Sequence, residues 1–213
     1  MSKFNFMRLF FSILLVLALT GLAACRQKPS GSNGELMLAP VASQFKNADI
    51  TGIPYAHELA LTDHNGHPRT LADFKGKAVL VFFGYTQCPD VCPTTMAQMA
   101  AVMQELGPLA NKVQVLFVTL DPERDTPALL AKYVPSFDRR FLGLYGDQAA
   151  TEKVAREFKV FFQKVPGKTP SSYTIDHTAG SYVFDPQGRI RLFVRHDEGT
   201  APIVHDLKLL LQQ

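Results

Sequence analysis

Two cysteines four positions apart carry the most distinctive chemistry in this sequence. Cys88 and Cys92 enclose three residues and stand between an apolar run and a segment of helical periodicity. Side chains four residues apart on a helix share one face, and the N-terminal end of a helix favours the thiolate form of cysteine. Thiolate attacks disulfides and also binds soft metal ions. The spacing therefore predicts either thiol–disulfide chemistry or a metal site.

His177 is the third candidate for this chemistry. It lies in the run DHT over 176–178, just before a predicted strand that starts near Gly180. An imidazole at that strand entry can point at the cysteine helix. Two thiolates and one imidazole are soft-to-borderline ligands that suit copper. With Cu(I) such a site carries a single net negative charge, and three ligands leave the ion open to a fourth from a partner protein.

The flanking sequence predicts the elements that must position these residues. Two continuous apolar runs rich in β-forming residues, 78–84 and 113–120, are typical of buried strands. A helix follows Cys88, and its stripe of Met96, Met99 and Met103 is expected to pack in the core. The remaining predicted elements are hairpins at 59–66 and 181–194, a short strand at 141–145, helices from 125, over 148–161 and over 201–212, and a long loop over 163–179.

The order of these elements predicts the fold class. Strand–helix–strand order requires a parallel crossover, and the closing hairpin makes the sheet mixed. We expect an α/β, thioredoxin-like, three-layer fold with an added N-terminal hairpin and a long loop before the C-terminal hairpin. Thioredoxins place two residues between their cysteines and a cis-proline before the corresponding strand, whereas here the nearest upstream proline is Pro170. A loop as long as 163–179 is usually functional or mobile, so we expect it to bring His177 to the metal or release it.

The N-terminus predicts export and a membrane anchor. An apolar run over 9–19 follows two basic residues and ends in LAAC over 22–25, which resembles a bacterial lipoprotein signal. We expect residues 1–24 to be a removed signal peptide, Cys25 to carry lipid, residues 25–49 to form a flexible tether, and residues 50–213 to form the domain. An uncleaved membrane-spanning anchor is the alternative. Either one places the domain in the periplasm or another extracytoplasmic space.

Composition limits the partners. The chain has 213 residues, of which 46% are hydrophobic and 19% charged, with a formal net charge of +3. Loss of the leader would leave it close to neutral, and the absence of long charge runs argues against a nucleic-acid partner. With Cys25 lipidated, Cys88 and Cys92 would be the only thiols of an exported protein, so they form a disulfide, a metal site, or both in turn. We expect a monomer.

Three separated runs resemble the Sco/SenC family over about residues 55–210. They are FFGYTQCPDVCP over 82–93, TLDPERDTP over 119–127, and DHT over 176–178 followed by YVFDPQG over 182–188. The resemblance implies a membrane-anchored, thioredoxin-like copper protein that assists assembly of the dinuclear copper A centre of cytochrome c oxidase. It also implies that Cys88, Cys92 and His177 bind copper, as Cu(I) and/or Cu(II). The implied partner is oxidase subunit II or another copper-handling protein. Family members normally have a membrane-spanning anchor, whereas this leader is of the lipoprotein type that some bacterial members share.

Other interpretations of the dithiol stay open. A thiol–disulfide oxidoreductase would use Cys88 as the attacking thiol and Cys92 as the resolving thiol. It would reduce the cysteines of the oxidase copper site or act in redox signalling, so whether the protein is an enzyme also stays open. A static disulfide, a zinc site and a peroxidase site are weaker interpretations.

Three polar residues near the motifs are candidates for supporting the site or docking a partner. Asp121 follows the second buried strand, where such folds place functional groups, although an Asp there also suits a turn. Asp90 could equally cap the cysteine helix. Tyr173 lies in the predicted long loop. His64 and His67 flank a predicted turn, and we expect solvent around both.

Overall fold

The computed structural model describes residues 44–169 and 172–213. These ranges hold ten strands, four α-helices and three short 3-10 helices. The strands are β1 (Ala48–Asp49), β2 (Ala60–Asp63), β3 (Pro68–Thr70), β4 (Ala78–Gly84), β5 (Val113–Thr119), β6 (Leu142–Tyr145), β7 (Phe162–Pro166), β8 (Tyr173–His177), β9 (Gly180–Phe184) and β10 (Ile190–Arg195). The α-helices are α1 (Val91–Leu106), α2 (Pro127–Tyr133), α3 (Gln148–Glu157) and α4 (Thr200–Leu210). The 3-10 helices are Leu71–Phe74, Gly107–Lys112 and Val134–Ser136.

The predicted signal peptide, Cys25 and most of the predicted tether lie outside the described ranges. Within those ranges, no helix is both long and apolar enough to cross a lipid bilayer. Residues 44–49, which we expected to end the tether, instead join the folded unit. β1 pairs antiparallel with β10, and the backbone N–H groups of Lys46 and Asn47 donate to the buried carboxylate of Asp206. A strand of two residues is too short to produce a hydrophobic pattern in the sequence.

Eight strands form one mixed sheet in the order β1-β10-β9-β4-β5-β6-β2-β3. β4 pairs in parallel with β5, and β5 with β6, whereas the other pairs in this sheet are antiparallel. All seven residues of β4 and all seven of β5 are buried, as their continuous apolar runs predict for strands covered on both faces. The predicted α/β class with a mixed central sheet is confirmed.

Helices cover both faces of this sheet, which gives the three layers. α1, α2 and α4 contribute to one hydrophobic core, and α3 contributes to the core on the other face. Met96, Met99 and Met103 are buried in the first core, so the prediction that this stripe packs the core is confirmed. The two cores enclose β4 and β5, and the segments that carry Cys88, Cys92 and Asp121 follow the ends of these strands.

The same local arrangement closes both predicted hairpins. At the β2–β3 turn, Oδ1 of buried Asp63 accepts hydrogen bonds from the backbone N–H groups of Asn65 and His67. An arginine six residues after the aspartate donates to its other oxygen. At the β9–β10 turn, Oδ1 of Asp185 likewise accepts from the backbone N–H groups of the residues two and four positions later, and Arg191, six positions later, donates to its other oxygen. Both hairpins are therefore confirmed, and each has a buried carboxylate at its base.

The predicted long loop over 163–179 is wrong. This segment contains most of β7 and all of β8, which pair antiparallel as a separate two-stranded sheet with Phe162 opposite His177 and Pro166 opposite Tyr173. Ile175 is the one residue of these two strands that is buried. A ribbon that buries so little has no alternation of apolar and polar residues to reveal it. His177 is therefore the last residue of a strand.

Candidate metal centre

The two cysteines lie in the loop between β4 and α1 and in the first turn of α1. Cys88 is half-buried in the loop, and Cys92 is the second residue of α1 with 0% of its surface exposed. The backbone N–H of Cys92 donates to Cys88 Sγ at 3.5 Å, and both thiols are free. We expected the helix terminus to favour thiolate at both positions. For Cys92 the structure shows the opposite, because burial of the thiol raises its pKa.

Gly84, the last residue of β4, makes room for the buried thiol. A Cβ atom at this position would lie 2.9 Å from Cys92 Sγ, 2.9 Å from Cε1 of Phe82 and 3.1 Å from Cε2 of Phe117. Each of these neighbours is itself fully buried and has little space to move. The absence of a side chain at Gly84 therefore sets how close Cys92 Sγ can lie to the sheet.

His177 reaches the buried thiol from β8. Its Nε2 lies 3.6 Å from Cys92 Sγ, and its Nδ1 lies 3.0 Å from the carbonyl oxygen of Thr178. Because a carbonyl only accepts, Nδ1 carries the proton and the Nε2 lone pair faces the sulfur. The rings of Phe82 and Tyr85 meet the imidazole edge-on, with centroids 6.3 Å and 6.1 Å away. Burial lowers the pKa of His177, so the ring is neutral near pH 7 and able to act as a ligand.

The distance between Cys92 and His177 fits a shared metal ion. With metal–sulfur and metal–nitrogen bonds of about 2.3 Å and 2.0 Å and a tetrahedral or trigonal angle, the two donors stand roughly 3.5–3.7 Å apart. The observed separation is 3.6 Å. Throughout residues 44–169 and 172–213, however, no three His, Cys, Asp or Glu side chains already surround one metal position. One pair of donors is thus preformed, and Cys88 on its loop is the donor that would have to close in.

A buried carboxylate holds the loop that carries Cys88. Asp125 accepts from the backbone N–H of Thr86 at 3.0 Å and from its hydroxyl at 2.6 Å, and from the hydroxyl of Thr119 at 2.6 Å. Burial raises the pKa of Asp125 in spite of these three donors. Asp125 was not among the site residues predicted from the sequence, although it lies within the TLDPERDTP run.

The structure brings Asp121 and Tyr173 together. The Tyr173 hydroxyl donates to Asp121 at 2.8 Å, and burial together with this bond raises the pKa of Tyr173 to about 12. Arg124 forms an ion pair with Asp121 and stacks 3.5 Å from the centre of the Tyr173 ring. Asp121 and Tyr173 are therefore bonded to each other, and among the described residues neither belongs to a group that could hold a metal ion; their supporting or docking role stays a prediction.

Asp90 occupies the N-cap position of α1 but makes no capping hydrogen bond through its side chain. Its exposed carboxylate instead lines a groove of about 360 Å³ together with Cys88, Asp176 and His177. The groove is the route by which a partner could reach Cys88 and His177.

The expectation that His64 is solvated is wrong, because its Nδ1 accepts a hydrogen bond from the backbone N–H of Gly143 on β6.

Comparison with known proteins gives the family context of this site. A family model described as SCO1/SenC matches residues 48–212. The mitochondrial SCO2 homologue of Bos taurus is 40% identical over 133 residues, covering 62% of this chain and 50% of the relative. A SCO2-like protein of Rickettsia felis is 32% identical over 170 residues, covering 79% of this chain and 82% of the relative.

Solved structures agree with the fold. Bradyrhizobium japonicum ScoI with copper bound has a TM-score of 0.67 and 42% sequence identity, covering 72% of this chain and 97% of that chain. This similarity confirms the predicted fold class. The alignment with the bovine protein spans only about half of that relative's length.

Proposed function

Because the chain belongs to the SCO1/SenC family, we propose that it is a copper chaperone that assists assembly of the dinuclear copper A centre of cytochrome c oxidase. Copper, as Cu(I) and/or Cu(II), is its cargo, and Cys88, Cys92 and His177 are the ligands. The ScoI relative, solved with copper bound, supports the choice of metal. The partner that receives the cargo is subunit II of the oxidase or another copper-handling protein.

The observation that carries this proposal is the orientation of His177. Its Nε2 lone pair faces Cys92 Sγ at 3.6 Å, while the carbonyl of Thr178 holds the proton on the opposite nitrogen. Metal-binding histidines are usually oriented by this kind of second hydrogen bond. In the metal-free chain the protonated Cys92 thiol can donate to this lone pair, and a metal ion that replaces the thiol proton would meet both donors.

The unequal exposure of the two thiols determines how copper would be loaded and passed to a partner. Binding of Cu(I) replaces the thiol protons of Cys88 and Cys92, because the thiolate is the metal-binding form. Cys92 is enclosed, whereas Cys88 borders the groove. An incoming thiolate of the partner therefore reaches the ion beside Cys88, binds as a further ligand, and releases the chaperone's ligands one after another.

A copper titration of the reduced chain tests this proposal. His177→Ala should lower the Cu(I) affinity by at least about tenfold, because it removes one donor from the ion. His67→Ala is the matched control, since His67 is exposed at the β2–β3 turn. Unchanged copper stoichiometry and affinity after His177→Ala would remove the third ligand from the proposal.

A thiol–disulfide oxidoreductase is the second candidate, and the unequal exposure of the two free thiols favours it. The Cys88 thiolate would attack a sulfur of a partner disulfide and release one partner thiol. Cys92 would then displace the partner from the mixed disulfide, which leaves a Cys88–Cys92 disulfide and a fully reduced partner. His177→Ala separates the two functions, because reductase activity should largely survive it and copper delivery should not.

We also propose that the domain is held at the membrane, on the extracytoplasmic side, by lipid on Cys25. The lipoprotein-type run at 22–25 supports this location. Mass spectrometry of the N-terminal peptide from membrane-bound protein tests it. A lipid adduct on Cys25 with loss of residues 1–24 is expected, and an intact leader without lipid would show the membrane-spanning alternative to be right.

A further inference from the structure

We infer that Arg124 is a positioning residue for His177, because it ties the strand that carries the histidine to the loop that carries Cys88. This inference rests on the proposed function, since its copper readout requires that His177 is a ligand. Arg124 lies between β5 and α2, and it is neither a cysteine nor a plausible copper ligand. Its side chain contacts β8, the segment after β5 in which it lies, and the loop that carries Cys88.

The guanidinium of Arg124 makes contacts in three directions. Nη1 donates to the backbone carbonyl of Tyr173 at 2.9 Å, and the plane stacks 3.5 Å from the centre of the Tyr173 ring. Nε forms an ion pair with the fully buried carboxylate of Asp121. Toward the cysteine loop, Nη1 lies 3.4 Å from Gln87 Oε1, and the guanidinium is 5.8 Å from the centre of the Tyr85 ring.

β8 depends on such contacts because it is not part of the main sheet. It pairs only with β7, and of its five residues only Ile175 is buried. Tyr173 is the first residue of the strand and His177 is the last, so the two are separated by about 13 Å of extended chain. Arg124, together with the hydrogen bond from the Tyr173 hydroxyl to Asp121, therefore holds the near end of β8, while the imidazole at its far end meets Cys92. Release of the near end would let the strand shift and carry His177 away from the thiol.

The planar shape of the arginine side chain matters as much as its charge. One guanidinium can pair with Asp121, donate to the Tyr173 carbonyl and stack on the Tyr173 ring at the same time, whereas an ammonium group cannot. The other cation near this ring, Lys164, lies 4.7 Å from its centre and pairs with exposed Glu123 at 2.7 Å. Lys164 is thus occupied at the surface and does not reach the cysteine loop.

A double-mutant cycle on the full chain, reduced and titrated with Cu(I), tests this role. Arg124→Ala should weaken Cu(I) binding by about tenfold, as removal of a residue that orients a ligand usually does. In the His177→Ala background the same change should cost less than about twofold, because the residue acts through the histidine. Arg124→Lys should weaken Cu(I) binding nearly as much as Arg124→Ala does, because an ammonium group cannot make the same set of contacts. Arg156→Ala, at an exposed arginine of α3 paired with Glu152, is the matched control and should bind as the wild type does.

A copper-free measurement makes the test independent of metal binding. The rings of Phe82 and Tyr85 shift the NMR signals of the His177 ring protons, because they meet the imidazole edge-on. These signals should move toward the values of an exposed histidine in Arg124→Ala and stay in place in Arg156→Ala. Arg124→Lys keeps the charge beside Asp121 and serves as the second variant if the alanine variant does not fold.

The outcomes separate this inference from the proposed function. A tenfold loss caused by Arg124→Ala in both backgrounds, full retention of affinity by Arg124→Lys, or unchanged His177 signals in the alanine variant would overturn the role of Arg124 alone. A wild-type chain that bound no Cu(I) would refute the proposed function, and the NMR comparison would still decide whether Arg124 positions His177.

Discussion

Replacement of Gly84 by alanine tests whether the position of Cys92 is set by the sheet beneath it. The added Cβ would lie 2.9 Å from Cys92 Sγ and 2.9 Å from a carbon of the Phe82 ring. Ordinary contacts between such atoms begin near 3.5 Å, so the sulfur must move by roughly 0.5–1 Å or the chain must accept the overlap. Both neighbours are fully buried, which leaves no solvent-filled space for an easy shift.

Two effects of known size should follow from Gly84→Ala. Extra volume in a filled core usually costs about 1–3 kcal/mol, so the free energy of unfolding should fall by that amount. Displacement of Cys92 Sγ also changes its 3.6 Å separation from His177 Nε2, which already fits a shared ion. Copper affinity should therefore fall by about 10–100-fold, as it does when the surroundings of a metal ligand are altered.

Urea unfolding of the reduced, copper-free chain measures the first effect, and Cu(I) competition measures the second. Repeating the unfolding in a Cys92→Ala background isolates the contact with sulfur, because the cost of Gly84→Ala should shrink when Sγ is absent. Gly199→Ala is the matched control, since its Cβ would meet nothing closer than 3.8 Å. Wild-type stability and wild-type copper affinity in Gly84→Ala would refute the steric argument.

Two further predictions concern buried carboxylates. Burial opposes ionisation of Asp185, but hydrogen bonds from the backbone and side chain of Arg189 and from Arg191 hold its pKa below the usual range. The stabilising effect of the ionised carboxylate is present above the unfolded-state pKa near 3.8 and is lost as the pH falls through the lower folded-state pKa. Asp185→Asn should therefore lower the free energy of unfolding by about 1–3 kcal/mol at pH 7. In urea titrations, the variant should also lose less stability than the wild type as the pH falls below about 4. Equal acid slopes in both proteins would contradict this. Asp206→Ala removes the acceptor for Lys46 and Asn47, so hydrogen exchange at those two amides should accelerate while α4 stays protected, and unchanged exchange would contradict the anchoring role.

Elements that bury a whole face could be predicted from the sequence. The runs 78–84 and 113–120 are apolar throughout because both faces of each strand are covered, and β4 matches its run residue for residue. The hairpins at Asp63 and Asp185 were also predictable, since glycine-containing turns separate their strands. In these cases the physical cause of the structure is local, so it leaves a pattern in the sequence.

The β7–β8 ribbon could not be predicted for the opposite reason. Its strands bury one residue, Ile175, and a proline and a glycine follow closely at the turn. The contacts that hold the ribbon to the domain join residues far apart in the chain, such as Arg124 with the Tyr173 carbonyl, 49 residues away, and the Tyr173 hydroxyl with Asp121, 52 residues away. Long-range contacts of this kind have no periodicity in the sequence. Arg124 lies in the TLDPERDTP run and Tyr173 was a candidate in the predicted loop, but the sequence did not show that the two are in contact.

The unequal burial of the two cysteines explains why the dithiol motif alone does not distinguish metal transfer from disulfide exchange. Cys92 is enclosed against Gly84, while Cys88 borders the groove, so any partner sulfur must arrive on the side of Cys88. Both reactions therefore begin with the same approach. They diverge at His177, because a disulfide exchange needs only the two sulfurs, whereas a metal ion also needs the imidazole whose lone pair already faces Cys92. The ring thus adds the possibility of metal binding to a pair of thiols that could exchange disulfides without it.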